Sequence, residues 1–290
     1  MSVQEKKSMQ QIQSDDLKGV SQTLLIPLHY RVEESKSESS SFKDEIAERF
    51  HDAIAYDWGE FDAASSQGPM AAGITAVFHK RFAIFDEQVR DFLEKAPDGL
   101  VVNLGAGLDT RFHRLDNGRV EWIELDLPGV IAFRQKLHEP ESKRHRMIAA
   151  SVLDDDWIAE IKRHARSRIL FVAEGLFMYF TEEEHRKIFT CLAENFPGQE
   201  MLFHTLAPSL IQELAQYRLT LTAKLSMKAE MQWGLDDSEQ VSALNPKVEF
   251  VHEFPLLEGC YDQLPEPIRQ KLSPAMAKQV MKIVHVRFRQ

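Results

Sequence analysis

Residues 101–111 read VVNLGAGLDTR. With Leu100 in front, the stretch opens as a short apolar run, interrupted only by Asn103, and stops at Gly105-Ala106-Gly107. A run without polar alternation fits a strand buried on both faces of a parallel sheet. Such sheets bind ligands beyond the carboxyl ends of their strands. Glycines placed there take backbone conformations closed to other residues and let a ligand approach the main chain. The next strand-like segment, Val120–Leu125, runs on into Asp126-Leu127-Pro128, which sets Asp126 21 residues beyond Gly105. A carboxylate at that spacing can accept from both hydroxyls of a ribose. Turn and acid together point to a nucleoside ligand; a purely structural turn is the competing reading.

Outward from this stretch, strand and helix signals alternate. Strands are read at Arg146–Ala150, Arg168–Ala173, Glu200–Leu206, Val248–Glu253 and Met281–Phe288, and helices at Gly129–His138, Asp156–His164, Glu182–Phe196 and Ser209–Ala229. Thr181 followed by Glu182, Glu183 and Glu184 is a helix start, with a capping hydroxyl and acids at the positive end of the dipole. The alternation predicts an α/β, Rossmann-like sheet of seven mostly parallel strands flanked by helices, its last strand an antiparallel insertion at the edge.

No strand is read before residue 100, so a helical cap is expected over 20–98, ahead of a core at 99–290 that carries a helical lid insertion at 207–247. Within the cap, Phe42–Tyr56 reads as one amphipathic helix, because Ile46, Phe50 and Ile54 share a face. Residues 73–95 read as one long helix or a bent pair. The apolar run Thr23–Leu28 stops around Pro27, and EESKSESSS at 33–41 reads as a loop. Residues 1–19 are polar, without periodicity, and are expected to form a loose tail.

Composition narrows the function. The 290 residues are 43% hydrophobic and 28% charged, with a net charge of −10. That balance argues against a nucleic-acid partner. The two cysteines, Cys191 and Cys260, make neither a disulfide framework nor a zinc motif. No stretch has the roughly 20 apolar residues of a membrane span, and the first residues lack an apolar signal core, so no membrane partner and a cytoplasmic location are expected. Cys191 is expected in the core. His79, His113, His145, His164 and His185 stand in charged text and are expected at the surface.

A dinucleotide fingerprint wants a third glycine near position 110; this chain has Thr110, preceded by Asp109. An acid beside a pyrophosphate is repelled, and no GxxxxGK[ST] loop occurs. S-adenosyl-L-methionine, with a ribose, no phosphate and a sulfonium cation, meets these requirements.

The longer segments VVNLGAGLDTRFHRL (101–115), EWIELDLPGVI (121–131) and FVAEGLFMYF (171–180) resemble the leucine carboxyl methyltransferase family. Upstream TLLIPLHYR (23–31) and RFAIFD (81–86), and Trp233-Gly234-Leu235, resemble its bacterial branch of polyketide carboxyl O-methyltransferases of the tetracenomycin type. The resemblance implies a class I S-adenosylmethionine-dependent methyltransferase fold and places cofactor contacts residue by residue. Gly105, Ala106 and Gly107 would pack against the methionyl part. Asp126, with Leu127 beside it and Glu124 as a possible partner, would hold the ribose. Arg81 would pair with the cofactor carboxylate, which a guanidinium grips with two parallel hydrogen bonds. Ser151 and Val152 would meet the adenine, although related eukaryotic members carry an aspartate where Ser151 stands; a capping role is the alternative. Glu174 and Tyr179 would serve the methionyl end. A second basic contact near the chain start falls on Gln22 or Arg31, and Arg111 is expected to tie the loop down through an acid such as Asp109.

Methyl transfer is an in-line displacement, helped largely by positioning. A carboxylate acceptor is already ionised and needs no base, whereas a phenol, with a pKa near 10, does. The motifs contain no His/Asp pair and no metal site is read, so the expected substrate is a small-molecule carboxylic acid, with a phenol as second choice and His204, at the end of the fifth strand, as the one candidate base. The alternatives are a protein C-terminal carboxyl methyltransferase, an NAD(P)-dependent oxidoreductase and a catalytically degenerate interaction module. The sequence leaves the oligomeric state open.

Overall fold

The computed structural model describes residues 12–13, 23–38, 40–65, 71–140, 142–213, 215, 230–264, 266–270 and 272–290. Seven strands form its central sheet: β1 (Leu100–Leu104), β2 (Glu121–Asp126), β3 (His145–Ala149), β4 (Ile169–Ala173), β5 (Glu200–Leu206), β6 (Val248–Pro255) and β7 (Met281–Phe288). They lie in the order β3-β2-β1-β4-β5-β7-β6. The first five are parallel, and β7 runs antiparallel to both neighbours. All five residues of β1 are buried. Leu100, Val102 and Leu104 face one core and Val101 the other, as the period of two requires. The strand order turns back between β1 and β4, which opens the crevice where parallel sheets take ligands.

The antiparallel last strand is present, but it is not at the edge. Ile283 faces one core while Val284, Val286 and Phe288 face the other, and all four are fully buried. Layers packed on both sides of the sheet bury these two faces, and β5 and β6 pair with the two edges of β7. β6, with exposed Val251 and His252 and an irregular register between Phe250 and His252, takes the edge instead.

Helices α1 (Leu25–Lys36), α2 (Glu45–Ala53), α3 (Trp58–Ser65) and α4 (Ala71–Lys95) form the N-terminal helical extension. α4 is one unbroken helix whose Phe85, Val89 and Phe92 cover the Val101 face of the sheet. α1 extends through Pro27 and into the expected loop. Pro27 stands in the first turn, where an amide has no intrahelical partner to lose. The expected 42–56 helix is shorter. Asp44 accepts from the Ala47 amide and starts α2, which ends at Ala53; Ile54–Ala55 then pairs in parallel with Ile12–Gln13.

After the glycine turn come α5 (Arg111–Leu115), α6 (Pro128–Gln135), α7 (Asp156–His164) and α8 (Glu182–Asn195). The capping box read at Thr181 and Glu184 is formed. Of the helix expected at Ser209–Ala229, residues 208–213 are helical, and 214 and 216–229 lie outside the described residues. Beyond them, Trp233, Leu235, Val241 and Leu244 pack into the core shared by β4, β5 and α8. A side chain at Gly234 would run into the Leu206 carbonyl, so the Trp-Gly-Leu segment closes on β5 only with glycine there.

Candidate active site

A cavity of about 770 Å³ opens at the carboxyl ends of the parallel strands, beneath α1 and α4. Small-molecule sites span about 300–1,000 Å³. Arg81, Gly105, Ala106, Gly107, Asp126, Leu127, Ser151, Val152, Glu174, Tyr179 and His204 all line it. Residues scattered from α4 to β5 in the chain therefore meet around one space.

The glycine turn is built from the end of β2. The amides of Gly105 and Ala106 donate to the Leu125 carbonyl at 2.8 and 3.2 Å. Gly105 and Gly107 have φ of 64° and 53°. The amides of Gly107 and Leu127 donate to the two oxygens of Asp126, each at 2.7 Å. Burial raises the Asp126 carboxyl, and those two amides pull it back. Each oxygen retains a lone pair for a further donor. A methyl group on Gly105 would come 2.6 Å from Leu176 Cδ1 in a left-handed backbone. Gly105→Ala is expected to lower stability by about 1–2 kcal/mol and to weaken ligand binding in the cavity, read by thermal melting and calorimetry.

Behind the turn lies a buried ionic network. Arg111 is fully buried and bonds Asp86 at 2.7 Å, Glu174 at 2.6 Å, and Asp109. Glu174 receives Arg81 Nε on its other oxygen at 2.9 Å. Arg31 donates to the Leu108 carbonyl at 3.0 Å and lies 3.7 Å from Asp109. Arg114 joins Asp44 to Asp86. Burial favours the neutral form of Asp109, but Arg111, Arg31 and Arg114 outweigh it and hold the carboxyl below the usual range. Asp109 is thus compensated, so its charge by itself does not repel a phosphate. What counts against one is that the described lining residues include no lysine and only two arginines, Arg31 and Arg81, each already facing an acid.

Arg134 supports the turn from below, donating to the Gly107 and Asp109 carbonyls at 3.2 and 2.6 Å. Glu139 holds Arg134 at 2.7 Å. Arg134, Arg114, Asp86 and Glu139 escaped the sequence reading as site residues, because a charged side chain on a helix or in a loop looks the same in the sequence whether it faces solvent or a buried partner. Burial tends to raise Glu139, yet Arg134 brings it down to about 2 from an ordinary 4.5. The folded state therefore gains stability from Glu139 above pH ~4.5 and loses it as pH falls toward 2. Glu139→Gln is expected to remove about 2–3 kcal/mol of that acid dependence, measured as the wild-type-minus-variant difference in urea unfolding between pH 5 and 2.5.

None of the five histidines expected at the surface is exposed: His79 and His164 are half-buried beside Glu34 and Glu160, and the other three lie deeper. His185 is fully buried and stacks on Trp233 at 3.7 Å; burial lowers it to about 4. His145 packs on Phe112, with its side chain 3% exposed, and His113 bonds Glu139 at 2.8 Å. Aromatic neighbours and acids far away in sequence draw them in. His113, Glu139 and His145 stand close enough to meet around an ion, as do His29, Glu33 and Asp62. None of these six lines the cavity, and in the first group Glu139 is already held by Arg134. Cys191 is half-buried against the main core, and burial raises its thiol.

Ser151 Oγ accepts from the Leu153 amide at 3.2 Å in a local turn, does not cap the helix at Asp156, whose N-cap is Asp155, and borders the cavity. Leu127 is 45% exposed there, an apolar surface that a flat ring could cover. Of the two candidates for the second basic contact, Arg31 lines the cavity and Gln22 lies outside the described residues. The set offers an acid for vicinal hydroxyls, apolar surface for a ring, and a paired cation and anion for an amino-acid zwitterion.

Comparisons with known proteins speak to the family and the fold. The model of a family described as leucine carboxyl methyltransferase matches residues 25–193. The tetracenomycin polyketide synthesis O-methyltransferase TcmP of Streptomyces glaucescens is 28% identical over 90% of this chain and 92% of its own length. The S-adenosyl-L-methionine-dependent methyltransferase dpfgK of Gibberella zeae is 24% identical over 81% of each chain. In fold, the chain is similar to a duf574 family protein from Streptomyces avermitilis, with a TM-score of 0.57 at 13% identity over 90% of this chain and 96% of that one.

Proposed function

The chain belongs to the leucine carboxyl methyltransferase family and is an S-adenosylmethionine-dependent methyltransferase, and from that premise we propose that it methylates an oxygen, a carboxylate oxygen by preference, of a small polyketide-like acid. The observation that carries the cofactor's placement is the convergence of Asp126, the glycine turn and the Arg81–Glu174 pair on one cavity. In this reading Asp126 accepts from the ribose hydroxyls, and Leu127 and Val152 pack the adenine, with Ser151 at its edge. Arg81 takes the methionyl carboxylate, Glu174 the ammonium, and Tyr179 closes that end. The bound cofactor supplies an electrophilic methyl group on a sulfonium.

What remains for the chain is to hold an acceptor in line and keep water out. Ile74, Val77, Phe78, Leu210, Leu257 and Val280 line the same cavity and suit an apolar body. The apolar lining favours a small apolar molecule over a protein C-terminus. Among the described residues no helix is long and apolar enough to cross a membrane. The test is calorimetry with S-adenosylhomocysteine, followed by incubation with labelled cofactor and cell extract and mass spectrometry of the product. Micromolar binding and a labelled methyl ester are expected. Absence of adenosyl-ligand binding would remove the placement, and a labelled ether or protein would remove the acceptor assignment.

A further inference from the structure

His204 stands out on β5. Leu202, two residues earlier, faces the core under α4, and the period of two puts His204 on the same side. The residue is 2% exposed and lines the cavity. Neither ring nitrogen has a hydrogen-bond partner among the described residues. Buried polar groups in native proteins are nearly always paired, so an imidazole left in this state calls for a partner that arrives in the cavity. Burial, and then the Arg81 cation, lower its pKa well below the ordinary histidine value, so the ring is neutral and carries one N–H. A neutral ring with so little affinity for a proton is a poor general base. It remains a hydrogen-bond donor.

The electrostatics of the reaction favour such a donor. A carboxylate meeting a sulfonium gives a neutral ester and a neutral thioether, so charge disappears on the way to the transition state. An arginine clamp on the acceptor would hold the ground-state anion more strongly than the transition state and slow the step. Of the described cations of the cavity, Arg31 is turned to Asp109, and Arg81, paired with Glu174, is the one assigned above to the cofactor's own carboxylate. Resting on the function proposed above, we infer that the N–H of His204 binds one oxygen of the acceptor's carboxylate and aims the other at the methyl carbon. The new O–C bond replaces the C–S bond, whose electron pair leaves with sulfur, and no proton moves. His204 is then the residue that selects a carboxylate.

The experiment uses the S-adenosylhomocysteine-loaded protein with 1-naphthoic acid and 2-naphthol as probes, in wild type, His204→Leu, His204→Phe and His204→Gln. Binding is read by calorimetry and methyl transfer by labelled cofactor. Naphthoic acid is expected to bind and naphthol to bind more weakly. The Leu and Phe variants should lose at least tenfold in naphthoate affinity and in kcat/KM, with affinity for S-adenosylhomocysteine unchanged. Gln, which can donate but cannot serve as a base, should restore both to within a few fold. Leu or Phe variants that match wild type, a Gln variant as impaired as Leu, or loaded wild type that ignores naphthoate or prefers naphthol would each overturn the inference. Wild type that fails to bind S-adenosylhomocysteine would instead unseat the cofactor placement, and the inference with it.

Discussion

Asp126→Ala is expected to weaken S-adenosylhomocysteine binding about a hundredfold. Its carboxylate is tied to the amides of Gly107 and Leu127 and keeps one acceptor site free on each oxygen. Two hydrogen bonds from ribose hydroxyls to a charged acceptor contribute about 1.5 kcal/mol each at the low end, or roughly 3 kcal/mol together. At 1.4 kcal/mol per factor of ten this is about two orders of magnitude in Kd. Asp126→Asn keeps one good acceptor and should fall between. The effect on folding should be smaller than on binding, because burying this carboxylate is itself costly, as its raised pKa records. Calorimetry on the three proteins decides the matter: equal affinities would mean that the acid serves the turn and not a ligand.

The largest effect on folding is expected at Arg111. Arg111→Met leaves Asp86, Asp109 and Glu174 in the interior without the guanidinium that reaches all three. Breaking a buried ionic group by removing one partner costs about 3–5 kcal/mol, a large part of the 5–15 kcal/mol that holds a typical domain together. Arg114 and Arg81 still serve Asp86 and Glu174, which keeps the loss from being larger. Arg111→Lys should recover little, since one ammonium cannot reproduce a fork with separate contacts to three acids. Urea unfolding at pH 7 gives the loss. At pH 4 the gap between variant and wild type should shrink, because Asp109, which burial pushes toward the neutral form and Arg111 holds ionised, takes up a proton once Arg111 is gone.

Much of this arrangement was readable from the chain. β1, β5 and β7 and helix α7 begin and end where their apolar patterns do. Those patterns are strong because each strand is buried on both faces or bounded by glycine and proline. The lining of the cavity was legible because the turn and the strand ends are contiguous motifs. Of the ionic network, only the contact between Arg111 and Asp109 was. Arg111 looks across to Asp86, 25 residues back, and to Glu174, 63 residues on, and no local pattern encodes such pairings. The buried histidines were missed for the same reason, as their neighbours in sequence are charged and their neighbours in space are aromatic. The position of β7 inside the sheet was hidden too. Strand order is decided by which faces must be covered, and a short apolar run does not say which strands will flank it.

That interior seat of β7 bears on how the molecule comes into being. β5 and β6 do not touch each other along their edges; residues 281–288 stand between them and pair with both. A ribosome-bound chain that has emerged only as far as β6 carries an open seam through its sheet. The helices and the first five strands can assemble while synthesis proceeds, but the right-hand third of the sheet must wait for the final segment to slot in. Nascent chains arrested before residue 281 should therefore be cut readily by protease at β6 while β1 to β4 resist, and release of the last strand should act as the latch.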